Sequence, residues 1–80
     1  MNTRGAVALR LMRLCDAQNI TINKLANLSA TPPSTVKNIL YGKSKNPGIV
    51  TIKQLCDGLE ITLGEFFNAP EFDQLEQEIE

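Results

Sequence analysis

TINKLANLSATPPSTVKNIL, residues Thr21–Leu40, reads as two short helices joined by a tight turn. Leu25, Ala26, Val36 and Ile39 recur at helical spacing and mark the faces on which the two helices touch. Thr21 is placed to cap the first of them, its hydroxyl accepting a free backbone N–H. Thr31-Pro32-Pro33 opens the second, because proline's fixed φ suits a first helical turn and its missing N–H is not needed there. Ala30 and Thr31 fall at the corner, where a large side chain would hold the helices apart. Pro33, Ser34, Lys37 and Asn38 are left on the outer face. A short helix that packs on a partner and shows small polar side chains outward has the shape that enters the major groove of DNA.

Outward from this stretch the chain continues to read as helices. A first helix is expected over about Arg4–Ala17, with Val7, Leu11 and Leu14 inward, Arg10 and Arg13 outside, and Asn19 ending it. The helix that opens on Pro33 should stop near Tyr41, with Gly42 supplying a left-handed C-terminal position. KSKNPG, Lys43–Gly48, is a polar loop that no helix crosses. A fourth helix follows over about Val50–Leu59, burying Ile52, Leu55, Cys56 and Leu59. Thr62-Leu63-Gly64-Glu65 matches a capping box for a fifth, which Phe66 and Phe67 end against the core. Residues 1–69 thus form one domain. The remainder, 70–80, is a separate acidic amphipathic tail: Phe72, Leu75 and Ile79 are spaced for a short helix, but five acids in its last ten residues allow a frayed end equally well. The fold class is all-α.

Eighty residues allow one small core and no large buried site. The formal net charge of −1 conceals a strong asymmetry. Residues 1–53 hold all eight basic side chains and a single acid, Asp16, whereas residues 54–80 hold no base and eight acids. A phosphate-binding footprint depends on local field, so the pI near 5.3 does not count against it, and Lys43 and Lys45 lie directly after the outward-facing helix.

Several function classes are excluded. The chain has no histidine, no nucleophile beside a base, and no glycine-rich phosphate loop after a strand, so an enzyme is not expected. Cys15 and Cys56 lie at apolar positions of separate helices and read as reduced core thiols; two lone cysteines cannot complete a tetrahedral metal site. Neither a metal nor a cofactor is implied. No apolar run approaches the ~18 residues of a membrane span and no signal peptide is evident, so a cytoplasmic location is expected.

From Val7 to Phe67 the chain resembles the Cro/phage-repressor (xenobiotic-response-element type) helix-turn-helix family. The matching elements are Leu25-Ala26, STVKNI at Ser34–Ile39, Gly42-Lys43-Ser44, Asn46-Pro47, and LCDGLEITLGEFF at Leu55–Phe67. The resemblance implies a five-helix, lambda-repressor-like domain. It also implies a sequence-specific transcriptional regulator, acting as a homodimeric repressor on double-stranded, near-palindromic operator DNA.

In residue terms it implies a DNA-facing set of Thr21, Asn23, Pro33, Ser34, Thr35, Lys37, Asn38, Lys43, Ser44, Lys45 and Asn46. Asn38 is the strongest base reader among them, since its amide can pair bidentately with adenine for ~1–3 kcal/mol of discrimination. Lys37 suits a phosphate, and Lys43–Asn46 the DNA backbone. Phe66, Phe67, Phe72, Leu75 and Ile79 are candidates for the dimer surface.

Two departures from the family's pattern stand out. Ile22 occupies the place where family members carry a phosphate-gripping glutamine. Cys15 and Leu40 replace a buried Arg–Glu pair; replacing both charges at once strands neither, so the two side chains are expected in contact. The rival reading is an antitoxin-like or anti-repressor module, whose acidic tail binds a protein partner.

Overall fold

A computed structural model describes residues 1–79. Among these residues five α-helices follow one another, α1 (Thr3–Gln18), α2 (Ile22–Ser29), α3 (Pro33–Leu40), α4 (Ile49–Leu59) and α5 (Leu63–Phe67), and a 3-10 turn spans Pro70–Phe72. Among the described residues no helix is long and apolar enough to cross a membrane, and no cluster of three or more metal-binding side chains forms.

The helix starts follow the side-chain chemistry. Asn2 caps α1, its Oδ1 accepting from Gly5 N–H at 2.8 Å. Thr21 caps α2, accepting from Lys24 N–H at 3.1 Å. At α5 the capping box is complete, with Thr62 and Glu65 exchanging bonds of 3.0 Å.

The helix ends share one device. After α1, α2, α3 and α4 the chain turns through a left-handed residue, respectively Asn19, Ala30, Gly42 and Glu60. At each end the following N–H reaches back five residues: Ile20 to Cys15, Thr31 to Ala26, Lys43 to Asn38, and Ile61 to Cys56. These paired bonds satisfy carbonyls that the helix leaves open. Only one of the four positions is glycine. At Ala30, which is exposed, the constraint is therefore the backbone turn and not the space for a side chain. Thr31 is the crowded corner residue: it is buried, and its hydroxyl donates to Ser29 O at 3.2 Å.

One core serves all five helices. Leu11 from α1, Leu25 from α2, Val36 from α3, Leu55 and Leu59 from α4, and Phe66 from α5 are almost wholly buried. Leu14, Ile22 and Leu40 pack on this core while partly exposed. Cys15 is buried in it, and α1 packs on α3, so Cys15 and Leu40 share one apolar cluster with no charge on either.

The tightest approach is between α2 and α4. A Cβ built on Gly58 would lie 2.9 Å from Ser29 Cβ and 3.0 Å from both Ser29 Cα and N. Real Cβ atoms do not sit so close to backbone, so these helices can pack at this separation only while residue 58 is glycine. Ser29 itself is buried, its hydroxyl donating to Leu25 O at 2.7 Å.

Two expectations are corrected here, and one that the sequence left open is decided. Arg10 is not a solvated side chain: its guanidinium binds the end of α5. Phe67 does not close the core, being 37% exposed, whereas Phe66 is 1% exposed. Among the described residues the acidic segment forms no helix beyond Pro70–Phe72. Asp73 N–H closes that turn on Pro70 O, and the chain then runs back along α1. Arg13 pairs with Glu71 at 3.2 Å, the amino group of Met1 with Glu76 at 3.5 Å, and Thr3 Oγ1 donates to Glu78 at 2.8 Å. With these contacts available and five acids in ten residues, an exposed helix over this stretch has little to hold it.

Gly58→Ala should cost about 1–3 kcal/mol, as overpacking a close contact does, and lower the urea midpoint without changing its slope. Adding Ser29→Gly should recover only part of that loss, because the Ser29 Cα and N atoms remain in the way.

Candidate nucleic-acid interface

The outer face of α3 is built by what lies beneath it. Val36 and Ile39 are buried, and this fixes the rotation of the helix. Pro33, Ser34, Lys37 and Asn38 are consequently exposed, with Thr35 half-buried between the two faces. Pro32 and Pro33 start the helix with no side-chain cap, and Thr35 and Val36 N–H both donate to Pro32 O at 3.0 and 3.2 Å.

The loop after α3 is tied to the same helix at one atom. Lys43 and Ser44 N–H both donate to Asn38 O, at 2.9 and 3.0 Å. The main chain of Asn38 thereby orders the loop while its side chain remains exposed. Lys43, Lys45 and Asn46 are exposed and Ser44 is half-buried. At the start of α2, Thr21 and Asn23 are exposed. The Thr21 oxygen already accepts from Lys24 N–H, which leaves its O–H free to donate. Ile22 is half-buried on the core, so the position of the missing glutamine is used for packing. A shallow groove lined by Asn23, Asn27, Pro32 and Pro33 runs along this corner, so the start of α2 and the start of α3 face a common surface.

The ion pairs divide the basic side chains into two groups. Arg13 and Lys53 hold Glu71 and Asp57, and Arg10 holds backbone carbonyls. Among the described residues Arg4, Lys24, Lys37, Lys43 and Lys45 have no carboxylate partner, and the four lysines of this group all belong to α2, α3 or the loop after them. Cations held by no acid cost less to bring to a phosphate, since no internal pair must first be broken.

The thiols have no part in this surface. Burial pushes the Cys15 thiol above its ordinary range, and the charge of Asp16 adds to that. Burial likewise raises Cys56, with Lys53 opposing it. Both remain protonated near neutral pH and are poor nucleophiles.

Three positions that matter were not legible from the helical pattern. Arg10 Nε and Nη2 donate to Phe66 O and Glu65 O, each at 2.7 Å, which caps the short α5 from across the fold. Gln18 Nε2 donates to Leu59 O at 2.9 Å and ties the end of α1 to the end of α4. Gly58 sets the α2–α4 separation. Its one sequence signal is a glycine inside an otherwise regular helix, a pattern that usually marks close packing.

Comparison with known proteins agrees with this geometry. The family model for the Cro/C1-type HTH DNA-binding domain matches residues 10–71. The chain belongs to the Cro/C1-type helix-turn-helix family. A solved structure described as the crystal structure of the prophage Lp1 protein 11 is similar to it, with 39% identity and a TM-score of 0.78. That similarity covers 94% of this chain and 100% of the other. No curated protein matches. Members of the Cro/C1 family are DNA-binding proteins, and α2 and α3 are the helix-turn-helix unit of this one.

The forked bonds from Arg10 are charge-assisted but only partly buried, so Arg10→Ala should cost about 1–2 kcal/mol. Arg10→Lys should lose nearly as much, because an ammonium cannot span two carbonyls in the same way. Thermal unfolding of the two variants measures both.

Proposed function

We propose that this protein is a homodimeric transcriptional repressor that inserts α3 in the major groove of a near-palindromic operator. The observation that carries the reading is the coincidence on α2, α3 and the following loop of an exposed polar helix face and four lysines with no carboxylate partner. Asn38 reads an adenine through its amide, Ser34 contacts a base edge or a phosphate, and Pro33 meets a thymine methyl. Thr21, Asn23, Thr35 and Lys37 hold phosphates along the groove, and Lys43–Asn46 follow the backbone beyond it. Phosphate contacts supply affinity and salt dependence, while the few base contacts supply sequence.

In a symmetric dimer two α3 helices would lie about 34 Å apart and meet half-sites one DNA turn apart. Phe66 is core, and Phe72 and Leu75 are half-buried, which narrows the candidate dimer surface to Phe67, Ile79 and their exposed neighbours. Ile49 is 58% exposed and lines the same cleft as Phe67, so these two are the pair on which self-association is built. The acidic segment uses Glu71, Glu76 and Glu78 in contacts with its own chain, which shrinks the surface it offers a protein partner.

Selection of bound duplexes from a random DNA library should enrich a palindrome with half-sites about one turn apart. On that operator Asn38→Ala should cost ~1–3 kcal/mol and relax preference at a single base pair. Lys43→Ala and Lys45→Ala should weaken all sequences alike, each lowering the salt slope by about 1. Binding that enriches no sequence, and is lost as salt rises, would contradict the proposal.

A further inference from the structure

The acidic segment and the loop after α3 meet at one cleft. Its walls are the start of α1, the loop at Lys45–Pro47, the start of α4, and Phe67 at the end of α5. Arg4, Lys45 and Asn46 line it, and so does Glu78. Glu78 is held there by Thr3, which lines the same cleft: Thr3 Oγ1 donates to its carboxylate at 2.8 Å and Thr3 N–H at 3.5 Å. Glu76, two residues earlier, is tied to Met1 through both its N–H and its carboxylate. Farther back, the Phe72 ring packs at a tilt against Phe66 and Phe67, and Glu71 pairs with Arg13. The segment is therefore laid along α1 by a series of contacts and brings a carboxylate to the cleft that half-buried Arg4 and exposed Lys45, neither in an ion pair among the described residues, also line.

We propose that the acidic segment is an intramolecular brake on DNA binding. Glu78, positioned by Thr3 and Glu76, shares a cleft with Lys45 and Arg4, where its charge lowers the local positive potential that a DNA phosphate would meet. DNA backbone approaching the loop must displace this carboxylate or accept its repulsion. The separation of charge along the sequence, bases first and acids last, then has a consequence in the fold: the acids are brought back to one edge of the basic surface. The device tunes affinity through charge alone, so it is strong at low ionic strength and fades as salt screens it. A protein or cation that drew the segment off α1 would release the loop. The proposal rests on the reading that Lys43–Asn46 contact DNA.

The test uses the 80-residue chain, its variants and one operator duplex from the library selection, with affinity measured across a salt series. Glu76→Gln/Glu78→Gln removes the two carboxylates nearest the start of α1. Glu60→Gln/Asp73→Asn removes the same net charge at exposed positions that make no ion pair among the described residues. The first variant should bind roughly three- to tenfold tighter than the natural chain at low salt, with the gain shrinking toward 1 M, where the Debye length is about 3 Å. The control should gain clearly less. Equal gains from both variants would reduce the effect to net charge and overturn the brake. Unchanged affinity for Glu76→Gln/Glu78→Gln on a duplex that all chains bind would overturn it while leaving the DNA-binding reading intact. Failure of every chain to bind any selected duplex would overturn both.

Discussion

The close approach of Gly58 to Ser29 is the constraint on which the rest of the fold depends. Ser29 is the last residue of α2, and the turn through Ala30 and Thr31 begins there. The separation between α2 and α4 therefore also sets where α3 leaves the corner. A side chain at residue 58 would displace the end of α2, and with it the start of α3 at Pro33, because only three residues lie between Ser29 and that helix. Thr31 secures the same corner from within, buried and bonded to Ser29 O. A groove-reading helix of eight residues has little rigidity of its own, so its aim comes from its supports.

Charge is arranged with equal economy. The bases that serve the fold are paired or capped: Arg10 on the carbonyls of α5, Arg13 on Glu71, Lys53 on Asp57. Those on the helix-turn-helix and its loop form no ion pair among the described residues. A net charge near zero is thus compatible with DNA binding, because the acids are concentrated in the last third of the chain and several of them are used within it. The Asn38 carbonyl, which accepts from Lys43 and Ser44, joins the reading helix and the backbone-following loop into one unit.

Much of this was legible in the sequence because it rests on local rules. Thr21, Asn19, Gly42 and the Thr62–Glu65 box mark helix ends through backbone hydrogen bonding that acts over a few residues. The alternation of buried Val36 and Ile39 with exposed Lys37 and Asn38 follows from helical period alone. What escaped depends on contacts distant in sequence. Arg10 lies 56 residues from the carbonyl it binds, and nothing nearby distinguishes it from a solvated arginine. Phe66 and Phe67 are neighbours of like composition, yet only Phe66 meets the core. The spacing of Phe72, Leu75 and Ile79 left a helix and a frayed end equally open; Phe72 is taken up by the aromatic cluster and Glu76 and Glu78 by Met1 and Thr3. Left-handed turns at Ala30 and Glu60 were equally hidden, since neither residue type favours that conformation.

The central claim is that α3 and the loop tied to Asn38 form the DNA-contacting surface. The most direct measurement is backbone amide shift mapping as a selected operator duplex is added at near-physiological salt. The largest changes should fall at Ser34–Asn38 and Lys43–Asn46, with Thr21 and Asn23 next and the buried face of α4 unmoved. Saturable binding that leaves Ser34–Asn38 unperturbed and maps to another surface would contradict the account.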